Sequence, residues 1–187
     1  GPGLYHAPVG KNSDPLSKLR DFEIILRGGV AEAVDVAFLK FCYVDFDETT
    51  DVPAVFSAYR DAMKKLKADY PELTIVHFSA PILRRDDGKK AMIKRLIGKN
   101  IQGDAENAMR NAFNQLMRAE YEGKEPFLDL ALVEATDETG TAALYGTGVA
   151  SYYALRPEYT FDGGHLNEAG RRRAAEWLAA TLDEAVR

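Results

Sequence analysis

The chain has 187 residues and a net charge of −5. That balance argues against a nucleic-acid surface, which needs concentrated positive charge. Its 46 % hydrophobic and 28 % charged content is globular, excluding disorder and a membrane-spanning chain, and the length suits one domain over residues 1–187 with its own core.

Gly1-Pro2-Gly3 looks like the remnant of a tag-cleaving protease, which carries the expectation that native sequence continues upstream. No signal-peptide pattern or membrane-length apolar run occurs, and Cys42, the single cysteine, gives no disulfide framework. Leu4-Tyr5-His6 reads as the end of a short strand, followed by the polar loop Gly10–Pro15. Leu16, Leu19, Phe22, Ile25 and Leu26 recur at helical spacing up to Gly28-Gly29. Val34–Tyr43 is an almost continuous apolar run of strand length, as expected where both faces of a sheet are covered. Asp51 before Pro53 caps a second helix, striped by Val55, Phe56, Tyr59, Met63 and Leu66. Leu73–Phe78 is the next buried strand, with His77 a satisfied core histidine.

Residues 89–122 hold two helical patterns divided near Gly98–Gly103. The basic run Lys89–Arg95 is the wet face of the first, and the second carries Ala105, Ala108, Met109, Ala112, Phe113, Leu116 and Met117. Phe127–Val133 reads as a further strand. Residues 136–161 form a long loop, and Leu166, Ala169, Ala174, Trp177, Leu178 and Leu182 stripe a last helix. Strands alternating with helices predict a three-layer α/β/α sandwich of flavodoxin-like type around a parallel sheet. Its ligand crevice lies outside the carboxyl ends of the strands.

Asp162-Gly163-Gly164-His165-Leu166-Asn167, just before the last helix, is the most informative stretch. A reversal over two glycines can bring the Asp162 carboxylate onto one ring nitrogen of His165. That contact fixes the tautomer and leaves the other nitrogen free to accept a proton from a hydroxyl. The plainer alternative is an Asx-type turn capping the helix. His165 is one of only three histidines, and it sits at a loop-to-helix junction, where sites concentrate.

The run Asp162-x-x-His165-Leu166-Asn167-x-x-Gly170 resembles the SGNH (GDSL-type) hydrolase family, and the element order follows that family along most of the chain. His6-Ala7-x-Val9-Gly10-x-Asn12-x-Asp14-Pro15 and Lys40-Phe41-Cys42-Tyr43-Val44-Asp45 look like a bacterial subgroup of it. The resemblance implies an esterase or deacetylase without a cofactor, in which His165 is the base and Asp162 orients it. It also implies that Gly10 offers its backbone N–H to the oxyanion, with Asn12 a weaker second candidate. The expected substrate is a small-molecule or carbohydrate ester, with neither nucleic acid nor membrane as partner.

Two departures stand against the family pattern. Cys42-Tyr43-Val44-Asp45 lacks the Gly-x-Asn of the family's asparagine block. No Gly-Asp-Ser or strand followed by Gly-x-Ser is present, so the nucleophile block is missing. Among the five serines, Ser17 and Ser57 sit in helical patterns, Ser151 in the long loop, and Ser13 and Ser79 at the functional edge without the strand that should carry the nucleophile. The expectation is therefore a sheet lacking its first strand, completed by upstream sequence or another chain. The alternative is a non-catalytic binding or accessory module that keeps the fold.

Asp45, Asp47, Glu48 and Asp51 form an acidic cluster of the kind that can hold a hard cation, but EF-hand spacing is absent. No zinc or nucleotide motif occurs. His6 lies near the site edge. Tyr145, Tyr152, Tyr153 and Tyr159, with Gly146 and Gly148, could line a carbohydrate or acyl pocket or pack the loop onto the sheet.

Overall fold

Helix α1 (Pro15–Ile25) starts where its sequence dictates: Asp14 accepts the Ser17 N–H, and proline occupies a first-turn position whose N–H would have no partner. The computed structural model describes residues 3–86, 88–97, 103–147 and 150–186, with the side chains of residues 90, 92, 94, 95, 146, 147 and 150 excepted. After α1 the chain turns through Leu26–Val30, where Gly29 takes a φ of 105°. It then enters β1 (Val36–Phe38), a 3-10 turn at Tyr43–Asp45, and α2 (Val52–Asp69), capped by Asp51 as expected. Strand β2 (Thr74–Phe78), α3 (Lys89–Leu96) and α4 (Asp104–Tyr121) follow. Next come β3 (Phe127–Leu128), α5 (Leu130–Ala135), and the antiparallel hairpin of β4 (Leu144–Thr147) and β5 (Ala150–Tyr153). A 3-10 turn at Pro157–Tyr159 leads to α6 (Glu168–Ala185).

The sheet is parallel, in the order β1-β2-β3, with Val36 opposite Thr74 and His77 opposite Phe127. Alternation along the strands divides two helical layers. Ala37 and Ile75 join the core shared with α1, α2 and α4, while Val76 and Phe78 meet α5 and α6. Phe41, Phe46, Tyr59 and Phe113 form the aromatic centre of the first core. Full burial of one such ring contributes about 1.5–3 kcal/mol. This is the α/β architecture predicted, with helices on both faces.

Five expectations need correction. Leu4-Tyr5-His6 is not a strand: it has no ladder partner, and Leu4 and Tyr5 are exposed. The run from Val34 narrows to three strand residues, because the chain leaves the ladder after Phe38 to reach the turn at Tyr43. Phe127–Val133 is strand only as far as Leu128. The Asp129 side chain accepts the Leu132 N–H and starts a helix, which buries Leu130 and Val133 against the sheet. A short apolar run does not by itself distinguish the two periodicities. The long loop contains the β4–β5 hairpin. Residues 98–102 of the expected helix divider, Gly148, and most side chains of the basic run lie outside the described residues. Trp177 is about half exposed rather than packed into the α6 stripe. No described helix is long and apolar enough to cross a membrane.

Candidate functional site

The loops leaving all three strands meet the segment before α6. The loop after β1 presents Tyr43, whose ring lies edge-on to His165 with centroids 5.4 Å apart. The loop after β2 presents Arg84, whose N–H donates to the Gly163 carbonyl at 2.8 Å. The segment after β3 leads to Thr136, whose carbonyl accepts the Tyr159 hydroxyl at 3.0 Å. Tyr159 in turn leads directly into the Asp162 turn.

Within that turn Asp162 is fully engaged. Its Oδ1 accepts the N–H groups of Gly164 (2.9 Å) and His165 (2.8 Å), and its Oδ2 accepts Nδ1–H of His165 at 2.6 Å. The two backbone donors and the imidazole stabilise the ionised carboxylate and hold Asp162 well below the usual carboxylate range. Asp162 thus closes an Asx-type turn and holds the imidazole at once, but it does not cap the helix as the plainer alternative expected: Asn167 caps α6, accepting the Gly170 N–H. With Nδ1 committed to Asp162, Nε2 is the free nitrogen, and the His165 side chain is 73 % exposed. No hydrogen bond reaches Nε2 among the described residues.

Gly164 is required by close approach. A Cβ there would lie 2.8 Å from the Tyr43 ring and 3.0 Å from Leu83 Cδ2. Gly164→Ala should therefore push Tyr43 and His165 apart and destabilise the protein by about 1–3 kcal/mol, read as a lower urea midpoint at unchanged m-value.

Gly10 and Asn12 lie on a loop clamped to the Tyr43–Asp45 turn. Ser13 donates its N–H to Asp45 and its hydroxyl to the Val44 carbonyl. Beneath them a buried ion pair joins Lys18 to Asp45 at 2.7 Å, and Lys18 also donates to Asn12 Oδ1 at 3.1 Å. Gly10 takes a φ of +53°, and a Cβ would meet Lys18 N at 2.4 Å. Its N–H donates to Asp21 at 2.9 Å, so in this structure that donor already has a partner.

Three of the four acidic residues of the cluster are equally accounted for, Glu48 being the exception. Asp45 holds Lys18, Asp47 accepts from Thr49 and Thr50, and Asp51 caps α2. Among the described residues no group of His, Cys, Asp and Glu could hold a metal ion.

His77 is fully buried, with Tyr59 on Nδ1 and Glu125 on Nε2, the core histidine expected. His6 is exposed. Tyr159 and Tyr152 are buried as packing residues, whereas Tyr145 faces the Arg85 guanidinium at 4.7 Å.

None of the five serines bonds to His165. Ser13 Oγ donates to Val44 O, Ser17 Oγ to Asp14 O, and Ser79 Oγ accepts from Ala131 N inside the core. Ser57 accepts from Arg60, and Ser151 lies on the exposed side of β5. A shallow hollow of about 320 Å³ at the start of α6 is lined by Phe161, Asn167, Glu168, Ala169 and Arg172, not by Asp162 or His165. A larger one of about 780 Å³ runs between α6 and the β3 edge, and neither Asp162 nor His165 lines it.

No protein-family model matches the chain, and no curated protein matches it by sequence. Its fold is shared with solved structures. A Bacteroides fragilis protein described as a "putative acylhydrolase" superposes with TM-score 0.62 at 15 % identity, over 93 % of this chain and 72 % of the other. A protein from Streptococcus pneumonia described as a "putative platelet activating factor" superposes with TM-score 0.53 at 22 % identity, over 80 % of this chain. Against that second protein the matched part spans 60 % of its length.

Proposed function

We propose that these residues are the histidine-bearing part of an SGNH-type serine ester hydrolase. His165 is the general base and acid, Asp162 its orienting carboxylate, and the nucleophile a serine that these 187 residues do not provide. The observation that carries the reading is the 2.6 Å bond from Nδ1 to Asp162 with Nε2 left outward. A base needs that division of labour between the two ring nitrogens. The shared fold with a protein described as an acylhydrolase supports the same reaction class.

In the reaction Nε2 takes the proton from the serine hydroxyl as its oxygen adds to the ester carbonyl, and returns it to the departing alcohol. Water then repeats the cycle on the acyl-enzyme. Asp162, held ionised by three donors, stabilises the imidazolium formed in between. The serine's strand would pair with the edge of β1 that β2 leaves open. A Gly10 N–H acting on the oxyanion would first have to leave Asp21. Residues 1–187 alone should hydrolyse no p-nitrophenyl acetate above the buffer rate, and adding the serine-bearing segment should restore turnover. Turnover by the chain alone, lost on mutating Ser13 or Ser79, would overturn the assignment.

A further inference from the structure

Helix α4 carries polar residues where an amphipathic helix should be apolar: Asn107, Arg110, Asn111 and Asn114 are all buried. Asn107 binds both backbone groups of Leu83, accepting its N–H at 2.9 Å and donating to its carbonyl at 2.7 Å. Arg110 donates through Nε to the Tyr43 carbonyl at 2.7 Å, through Nη2 to the Phe46 carbonyl at 3.2 Å, and through Nη1 to Asn107 Oδ1 at 2.9 Å. The two side chains are thus one unit, gripping the loop after β1 and the loop after β2 together.

Both gripped points meet the Asp162–His165 turn. The side chains of Tyr43 and Leu83 are the two walls against Gly164, and the next residue, Arg84, bonds the Gly163 carbonyl. The Tyr43 ring also touches the imidazole itself. Burying a guanidinium costs several kcal/mol unless its donors are satisfied, and among the described residues no carboxylate makes an ion pair with Arg110. Its acceptors are two backbone carbonyls and an amide. An apolar side chain could fill that space at lower cost but could not fix two carbonyls from one plane.

We infer that Asn107 and Arg110 are positioning residues for His165: through Tyr43 and Leu83 they set where the imidazole stands. The role rests on the proposed hydrolase reading for its consequence but not for its geometry, so the test has an arm independent of activity. With the two rings 5.4 Å apart, the C–H resonances of His165 in residues 1–187 should carry a ring-current shift from Tyr43, whose loss Tyr43→Leu would mark. Arg110→Met should move His165 at least halfway toward its position in Tyr43→Leu while leaving His77, enclosed by Tyr59 and Tyr121, in place. Arg110→Lys, which keeps one donor, should move it less. In the complete protein Arg110→Met should lower kcat about ten- to a hundredfold with KM within twofold, as expected of a misplaced base.

His165 unmoved in Arg110→Met would overturn the inference. So would His165 and His77 shifting together in both variants, which would mean a general loosening. A complete protein with no ester turnover at all would count against the hydrolase reading alone, and the resonance arm would still decide the positioning role.

Discussion

On the proposed hydrolase reading, replacing His165 with alanine in a protein that joins these residues to the proposed serine should lower kcat by at least about 10³-fold, with little change in KM. Among the described residues the imidazole is the one candidate base in the crevice with a ring nitrogen already fixed, by a carboxylate at 2.6 Å. Without it the serine hydroxyl must lose its proton to water, which in triad hydrolases forfeits three or more orders of magnitude. Asp162→Asn should be nearly as damaging. Its amide can present an N–H to Nδ1 and stabilise the wrong tautomer, and the negative charge facing the imidazolium is lost. Both side chains are more than half exposed, so neither variant should change the unfolding midpoint by more than a small amount. Steady-state kinetics beside urea unfolding separates the two effects. A His165→Ala protein with wild-type kcat would remove the histidine from the mechanism.

The second large effect concerns stability against pH. Glu134 is fully buried behind the crevice, with Ile82 N–H donating to Oε2 at 2.8 Å. Desolvation, opposed in part by that bond and by Lys40, pushes its pKa up from 4.5 to about 8. A carboxyl raised in the folded state keeps a proton that the unfolded chain has released. Its contribution is therefore complete below the unfolded value and is lost as pH rises through the folded value. Stability should fall by up to about 1.4 kcal/mol per pH unit across that window.

His77 works in the opposite sense at lower pH. Burial lowers its pKa from 6.5, so the unfolded chain binds a proton that the folded chain does not, and stability rises with pH until about one unit above 6.5. The interval from about pH 7.5 to 8.5 therefore isolates Glu134 from it. Glu134→Gln keeps an acceptor for Ile82 and cannot ionise, so urea midpoints of that variant should be flat over the interval while the wild type declines. Equal slopes in the two proteins would show that Glu134 does not carry the effect.

Much of this arrangement was legible in the residues. Caps are local chemistry: the sequence reading assigns Asp51 as a cap, which it is, and Asp14 and Asn167, which it does not assign, cap α1 and α6 in the same way, because a short side-chain acceptor reaches the first free N–H groups. Asp162 and His165 were legible for the same reason, since three residues and two glycines contain the whole interaction. Phe127–Val133 was misread because its apolar content suits either a strand or a buried helix, and the deciding contact is the Asp129 cap.

The support beneath the pair was missed because it is long-range. Tyr43, Leu83, Asn107 and Arg110 come together only through tertiary packing. One local signal was available: Asn107, Asn111 and Asn114 are poor helix formers repeated on one face of a helix. Such spacing is unexpected unless their amides have backbone partners. Gly10 shows the opposite limit, for its loop position followed from the sequence whereas the bond to Asp21 did not.

The most direct test of the central claim is covalent labelling of a protein that joins these residues to the proposed serine-bearing segment, using a p-nitrophenyl phosphonate, an analogue that traps an activated serine. The account predicts one phosphonyl adduct per molecule, found by peptide mass spectrometry on a serine outside the five discussed above, and none when His165 is alanine. An adduct on Ser13, Ser17, Ser57, Ser79 or Ser151, or labelling that persists at full rate without His165, would contradict it.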